Sequence, residues 1–346
     1  MHAAGASPPV AEGAAALHAW ALARLPAATA DASFTTVAGD ASLRRYYRLA
    51  WAGGSAIACL APPATEKNAE FVAVAAQFAR AGVRVPQVLA ADLAQGYLLL
   101  EDLGDTLLLH RLDAGCVDDC YGRAMALLVT LARAPCLALA PYDDDALAAE
   151  LALFPAWFCD GLLQHPPGAA GGRVFDALCE RLLASAAAQP RVPVHRDFHS
   201  RNLLVTAGGL ATIDFQDAVC GPLTYDLVSL LKDCYVRWPA RAVRRWALDF
   251  RTRVLAAGVP APAEADFLRA FDLMGLQRHL KVLGIFARLK LRDGKAAYLG
   301  DLPRVLAYVR ETLTAWPDEP ALAAFAAWFE AELAPRFSAQ PWWQRP

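Results

Sequence analysis

Within "PVHRDFHSRNLLVTAGGLATIDFQDAVCGP", residues 193–222, the carboxylate of Asp197 is followed five positions on by the amide of Asn202. A second carboxylate, Asp214, closes a pair of short apolar runs. Polarity beside "LLV" and "ATI" is costly unless each group is hydrogen-bonded, paired or holding an ion. The order H-R-D-x-x-x-x-N, hairpin, D-F is one used to transfer a phosphoryl group from ATP. In that chemistry Asp197 accepts the hydrogen bond, then the proton, of an attacking hydroxyl. Asn202 and Asp214 offer the hard oxygens that Mg²⁺ prefers, with phosphates and water completing its shell. Turn capping by Asp or Asn accounts for one such residue, not for three in order. His195 reads as a brace of the loop. His199 reads as a substrate contact or a second brace, and Arg196 and Arg201 as partners of loop carboxylates or carbonyls.

Two kinds of element must carry these residues. Residues 10–25 have a helical period. "SFTTVAG", "RRYYRLAWA" and "SAIACLA" then bring β-branched and aromatic residues between Gly-Asp and Gly-Gly turns, and read as three antiparallel strands. A helix is expected from Thr65 to its stop at Gly82, followed by two strands around the Gln-Gly turn of "VPQVLAADLAQGYLLLEDL". Beyond residue 106 the pattern is helical over 117–134, 143–163, 173–188, 224–236, 239–257, 263–291, 302–315 and 320–334. The only interruption is "LLVT" and "LATIDF". The expectation is an α+β fold of two lobes. Its small antiparallel lobe takes residues 1–103, with a connector at about 98–105, and its mainly helical lobe takes 104–346.

At 346 residues, 56% apolar and 20% charged, the chain can build two cores. A net charge of -2 argues against a nucleic-acid surface. The eight cysteines form no CxxC pair, so free thiols in a reducing cytoplasm are expected. The first residues lack the basic start of a secretion signal, and the chain has no uncharged apolar run of about 18 residues. A soluble, cytoplasmic monomer without membrane or nucleic-acid partners is the expectation.

Beyond the site, "GDASLRRYYRL" at 39–49, "LLLEDLGD" at 98–105 and "DFQDAVCGPLTYDLVSLLKD" at 214–233 resemble the kinase-like aminoglycoside phosphotransferase family. With "QRHLKVLGIFARL" they look like its bacterial anomeric kinases for N-acetylmuramate and N-acetylglucosamine, over most of residues 30–315. The resemblance implies an α+β, bilobal, protein-kinase-like fold, ATP and Mg²⁺ as cofactors, an amino sugar as partner, and transfer to its C1 hydroxyl during cell-wall recycling. Asp197 would be the base and Asn202 and Asp214 the metal ligands. Glu101 and Leu103 would lie in the connector whose backbone holds adenine. The wider pattern has a lysine on the third strand; here Cys59 and Leu60 stand near that point. Lys67, Arg44 or Arg45 could replace it, although strand alternation lets only one of the two arginines point at nucleotide. Backbone N–H groups at Ala41, Ser42 and Leu43 could also cradle phosphates. Glu70 could pair with Lys67 or Arg44, or lie in an exposed helix pair.

For the sugar, Gln277, Lys281 and Arg288 share a helix face, with Arg278 and His279 beside it. Arg278 and Lys281 are candidate contacts to sugar or phosphate, or parts of a charged face that braces the lobe. Asp217 and Asp226 are further candidates, Asp226 also as a helix cap, and Trp238 could stack on a sugar. The acidic run "YDDDALAAE" at 142–150 keeps open a kinase of aminoglycosides, choline or homoserine. The absent strand lysine keeps open a nucleotide-binding scaffold.

Overall fold

A computed structural model describes residues 10–25, 31–37, 43–137 and 139–343. The chain divides into two compact units, one formed by Met1–Thr106 with Leu204–Asp217, the other by Leu107–Leu203 with Ala218–Pro346. No linear reading could assign Leu204–Asp217 to the first unit.

The first unit begins with α1 (Val10–Leu22), β1 (Ser33–Val37), β2 (Arg45–Trp51) and β3 (Gly54–Leu60). It continues with α2 (Asn68–Arg80), β4 (Val88–Asp92) and β5 (Tyr97–Glu101). The strands form an antiparallel sheet in the order β1-β2-β3-β5-β4. Alternation along β2 and β3 buries Tyr47, Leu49, Ala56 and Ala58 together with Leu17 and Trp20 of α1. Gly96 turns β4 into β5 at φ 72°, where a Cβ would stand 2.1 Å from the Ala61 carbonyl oxygen, so only glycine fits. The helix expected from Thr65 begins at Asn68, because Thr65 and Glu66 donate their N–H groups to the Pro62 carbonyl in a turn.

The second unit holds α3 (Val117–Ala132), β6 (Ala140–Pro141), α4 (Asp144–Leu151), α5 (Gly168–Ala187) and β7 (Arg191–Val194). The hairpin of β8 (Leu203–Thr206) and β9 (Gly209–Thr212) follows and, apart from Leu203, goes with the first unit. The chain returns through β10 (Val219–Pro222), α6 (Tyr225–Leu231), α7 (Ala240–Ala256), α8 (Glu264–Asp293) and α9 (Leu302–Ala315). Two expectations need correction. The continuous helix over 143–163 breaks after Leu151 and resumes as a π-helical stretch, Phe154–Leu162, with Pro155 in its first turn; proline lacks the N–H that would continue the ladder. The sheet β6-β10-β7 was missed altogether, since strands this short, each with a proline, show no alternation.

Helix α8 is the axis of the second unit, packing against α5, α6, α7, α9 and the π-helical stretch. It is buried on nearly all sides from Phe267 to Leu289, so its polar residues must find partners inside the protein. The thiol expectation fails for one pair: Cys136, just after α3, and Cys220 of β10 form a disulfide across 84 residues. Sequence spacing gave no sign of it because the fold brings the two together. Among the described residues no helix is long and apolar enough to cross a membrane.

Candidate active site

The loop from His195 to Asn202 is fixed mainly through its backbone. Asp226, at the start of α6, accepts the N–H groups of His195 (2.6 Å, Oδ2) and Arg196 (3.0 Å, Oδ1). Arg196 adopts a left-handed φ of 76°, a conformation that a side chain makes costly unless neighbours hold it. The Arg196 guanidinium reaches Glu150 of α4. Further along, Asp233 accepts both the Ser200 N–H (2.9 Å) and its hydroxyl (2.6 Å). His195 is fully buried, and its Nδ1 lies 3.3 Å from the Asp197 N–H, which fits a brace. His199 sets its ring edge-on to Tyr235 at 5.2 Å, and Arg201 lies over the same tyrosine at 4.3 Å.

This scaffold leaves 43% of the Asp197 side chain exposed, with Arg278 Nη2 3.6 Å from Oδ1. Burial of the surrounding loop would raise the Asp197 carboxyl, but Arg278, then Lys281, His199 and His195, outweigh it and hold the group well below the usual carboxylate range. An ionised, oriented carboxylate is what a hydroxyl needs as an acceptor. Asn202 donates its side-chain N–H to the Asp197 carbonyl at 3.0 Å.

Arg278 and Lys281 are not an open charged face. They are 3% and 6% exposed. Lys281 Nζ lies 2.9 Å from Glu150 Oε1 and donates to the Tyr225 hydroxyl at 3.0 Å. Gln277 donates to the other Glu150 oxygen at 3.3 Å, and Tyr142 donates its hydroxyl to the same oxygen. Burial opposes the Glu150 charge, but Lys281 and Arg196 prevail and lower its pKa. Of the acidic run at 142–150 only Glu150 is spent inside the fold; Asp143, Asp144 and Asp145 are exposed, and Asp143 caps α4 by accepting the Ala146 N–H at 3.0 Å. His279 stacks on Tyr308 at 4.8 Å, and burial drives its pKa down to about 3, so it is neutral. Trp238 donates to the Tyr121 hydroxyl at 3.0 Å and packs edge-on to Trp246.

In the first unit Arg44 is the inward arginine. It is 4% exposed and donates to Glu66 Oε2 (2.9 Å), the Lys67 carbonyl (3.2 Å) and Gln216 Oε1 (3.5 Å). Burial works against its charge, but Tyr46, Cys59 and Glu66 around it outweigh that and raise its pKa. Arg45 is exposed at the start of β2, opposite Leu60. Gln216 also donates to Asp214 Oδ1 at 3.0 Å, so Arg44 and Asp214 are joined through one amide. Asp214 sits at φ 64°, which Asp tolerates better than most residues, and Phe215 beside it stacks on Phe71 of α2 at 4.8 Å. Lys67 does not enter the Arg44 cluster with its side chain; its Nζ pairs with Asp217 Oδ1 at 2.6 Å. Glu70 is exposed, and Glu66 takes the partnership expected of it. The Leu43 N–H is bound by Glu66 Oε1 at 3.2 Å; Ala41 and Ser42 lie outside the described residues. Glu101 donates its N–H to the Gln87 carbonyl at 2.9 Å and pairs its carboxylate with Arg84. The Leu103 N–H and carbonyl form no hydrogen bond among the described residues.

The partners that the sequence did not reveal are Glu66, Glu150, Gln216 and Tyr225. Gln216 carried a signal as the residue two beyond Asp214, and Glu150 as the last residue of the acidic run at 142–150.

Asp226 carries a prediction. Burial pushes its carboxyl up to about 7 against the two N–H bonds it accepts. A carboxyl raised on folding binds its proton more tightly in the native state, so its contribution falls as pH rises from about 4 to about 7. The Tm advantage of wild type over Asp226→Asn should shrink across that window. Asp226→Ala, which strips two buried N–H groups of their acceptor, should cost about 2–4 kcal/mol in urea unfolding. A Tm difference that stays constant from pH 4 to pH 8 would rule out the raised proton affinity.

Residues 33–268 match the phosphotransferase enzyme family, and the chain belongs to that family. Its relatives narrow the class. It is 43% identical over 301 residues to an N-acetylmuramate/N-acetylglucosamine kinase of Pseudomonas putida, covering 86% of this chain and 89% of that one. An enzyme of the same name from Pseudomonas aeruginosa is 42% identical, over 83% of this chain and 86% of its own. Among solved structures, choline kinase LicA from Streptococcus pneumoniae superposes with a TM-score of 0.58 at 15% identity, covering 81% of this chain and 93% of that one. The expected protein-kinase-like fold is thereby established.

Proposed function

We propose that this chain is an ATP- and Mg²⁺-dependent sugar kinase that phosphorylates the anomeric C1 hydroxyl of N-acetylmuramate and N-acetylglucosamine, serving the reuse of cell-wall sugars. The observation that carries the reading is the Asp197 carboxylate, exposed and held ionised in a loop braced on both sides, in a chain so similar to the two Pseudomonas kinases. Asp197 accepts the hydrogen bond of the sugar hydroxyl and takes its proton as the new O–P bond forms and the bond from the γ-phosphorus to the β–γ bridging oxygen breaks, releasing ADP. Phosphoryl transfer asks the protein chiefly for position and charge, so a weak but fixed base suffices. Asn202 and Asp214 are the proposed Mg²⁺ ligands. Among the described residues no group of three or more His, Cys, Asp or Glu side chains could hold a metal ion, which suits a cation completed by phosphates and water. When bound, Mg²⁺ neutralises charge on the phosphates.

Arg44 with Glu66 takes the place of the strand lysine and its partner, and Leu103 supplies the backbone groups for adenine. Within the acidic run that a polycationic antibiotic would seek, Glu150 is already paired with Lys281 and Arg196. ADP release measured with N-acetylmuramate, N-acetylglucosamine, kanamycin, choline and homoserine tests the reading. The two amino sugars should exceed the others in kcat/KM by at least 100-fold. Preference for choline or kanamycin, or no turnover with any of the five, would defeat it.

A further inference from the structure

Arg278 touches the loop at two consecutive residues, the Arg196 carbonyl and the Asp197 side chain. Its Nη1 donates to the Arg196 carbonyl at 2.8 Å and to the Tyr225 hydroxyl at 3.3 Å, and its Nη2 lies 3.6 Å from Asp197 Oδ1. Its guanidinium carbon stands 5.5 Å from the centre of the Tyr225 ring. Resting on the phosphotransfer reading above, we infer that Arg278 is a positioning residue for Asp197: one planar fork grips both the reacting carboxylate and the peptide that aims it.

Three observations lead there. At 3% exposure Arg278 has almost no surface to offer a sugar. The peptide it grips follows a left-handed Arg196, at φ 76°, and such a residue keeps its conformation only where surrounding groups over-determine it. Asp226 takes the two N–H groups on the entering side, and Arg278 takes the carbonyl on the leaving side. The fork is itself fixed. Lys281, three residues along α8, donates to the same Tyr225 hydroxyl at 3.0 Å and is tied to Glu150 at 2.9 Å, while Glu150 receives the Arg196 guanidinium. Elements α4, α6 and α8 thus all bear on one peptide. A lysine at 278 would bring a point charge without the fork, so it could not reproduce both contacts.

The test compares Arg278→Lys, Arg278→Gln and Tyr225→Phe in the full chain, at saturating ATP and with N-acetylglucosamine varied. Misplacing a reacting group by about 1 Å costs roughly 10²-fold. Both arginine variants should therefore lose about that much in kcat while KM for sugar and ATP stays within about threefold. Tyr225→Phe, which frees one side of the fork, should lose about tenfold. Added methylguanidinium should restore part of the Arg278→Ala rate. Independently of turnover, amide hydrogen exchange across residues 193–203 should quicken in Arg278→Gln. A raised sugar KM with unchanged kcat would make Arg278 a substrate contact, and a lower Tm with wild-type kcat would make it only a packing residue. Unchanged exchange in 193–203 would overturn the inference even for an inactive protein, whereas a wild type that turns over no sugar strikes the function reading instead.

Discussion

Asp197→Asn should lower kcat by about 10²–10⁴-fold, the range for losing a general base, and leave ATP affinity nearly unchanged. The substitution keeps the side chain's shape but removes the charge that Arg278 and Lys281 stabilise. Two cations then face a neutral amide, so a modest change in stability is expected as well. The two effects separate cleanly in a single-turnover experiment with ATP prebound: the transfer step slows, and the nucleotide Kd does not move. Near-wild-type transfer by this variant would remove Asp197 from the role of base.

The second large effect concerns Asp214. In Asp214→Asn the left-handed backbone position stays tolerable, because Asn shares the preference of Asp for that region. The Gln216 contact can also persist, so what is lost is the charge proposed to hold the cation. Metal stabilisation of transition-state charge is worth several kcal/mol, and at 1.36 kcal/mol per decade the turnover should fall about 10³-fold. The Mg²⁺ concentration needed for half-maximal rate should rise in parallel. Gln216→Ala, which only frees Asp214 to move, should cost about 10–100-fold, as groups that orient a metal ligand do. If Asp214→Asn shows the wild-type Mg²⁺ dependence, Asp214 does not bind the cation.

Much of the candidate site was legible because its residues are close in sequence and chemically unusual. Asp197, Asn202 and Asp214 declare themselves by order and spacing, and the strand texture of β1 to β5 follows from alternation between glycine turns. What stayed hidden depends on distant residues. The burial of Arg278 and Lys281 follows from α8 being enclosed on all sides, which periodicity alone reads as a charged face. Glu150 looked like part of an open acidic run until the fold set it against Lys281 and Arg196. The Arg44–Glu66 pair spans 22 residues and bypasses Glu70, because α2 starts later than its apparent capping signal. The Cys136–Cys220 bond spans 84. Short proline-bearing strands such as β7 and β10 leave no pattern to read.

The central claim is that Asp197 delivers the anomeric oxygen of an amino sugar to the terminal phosphorus of ATP. Phosphorus NMR of the product made from N-acetylglucosamine, ATP and Mg²⁺ tests it most directly. A phosphate resonance coupled to H1, the signature of a sugar 1-phosphate, is expected. A resonance coupled instead to the two H6 protons, or the release of inorganic phosphate alone, would contradict it.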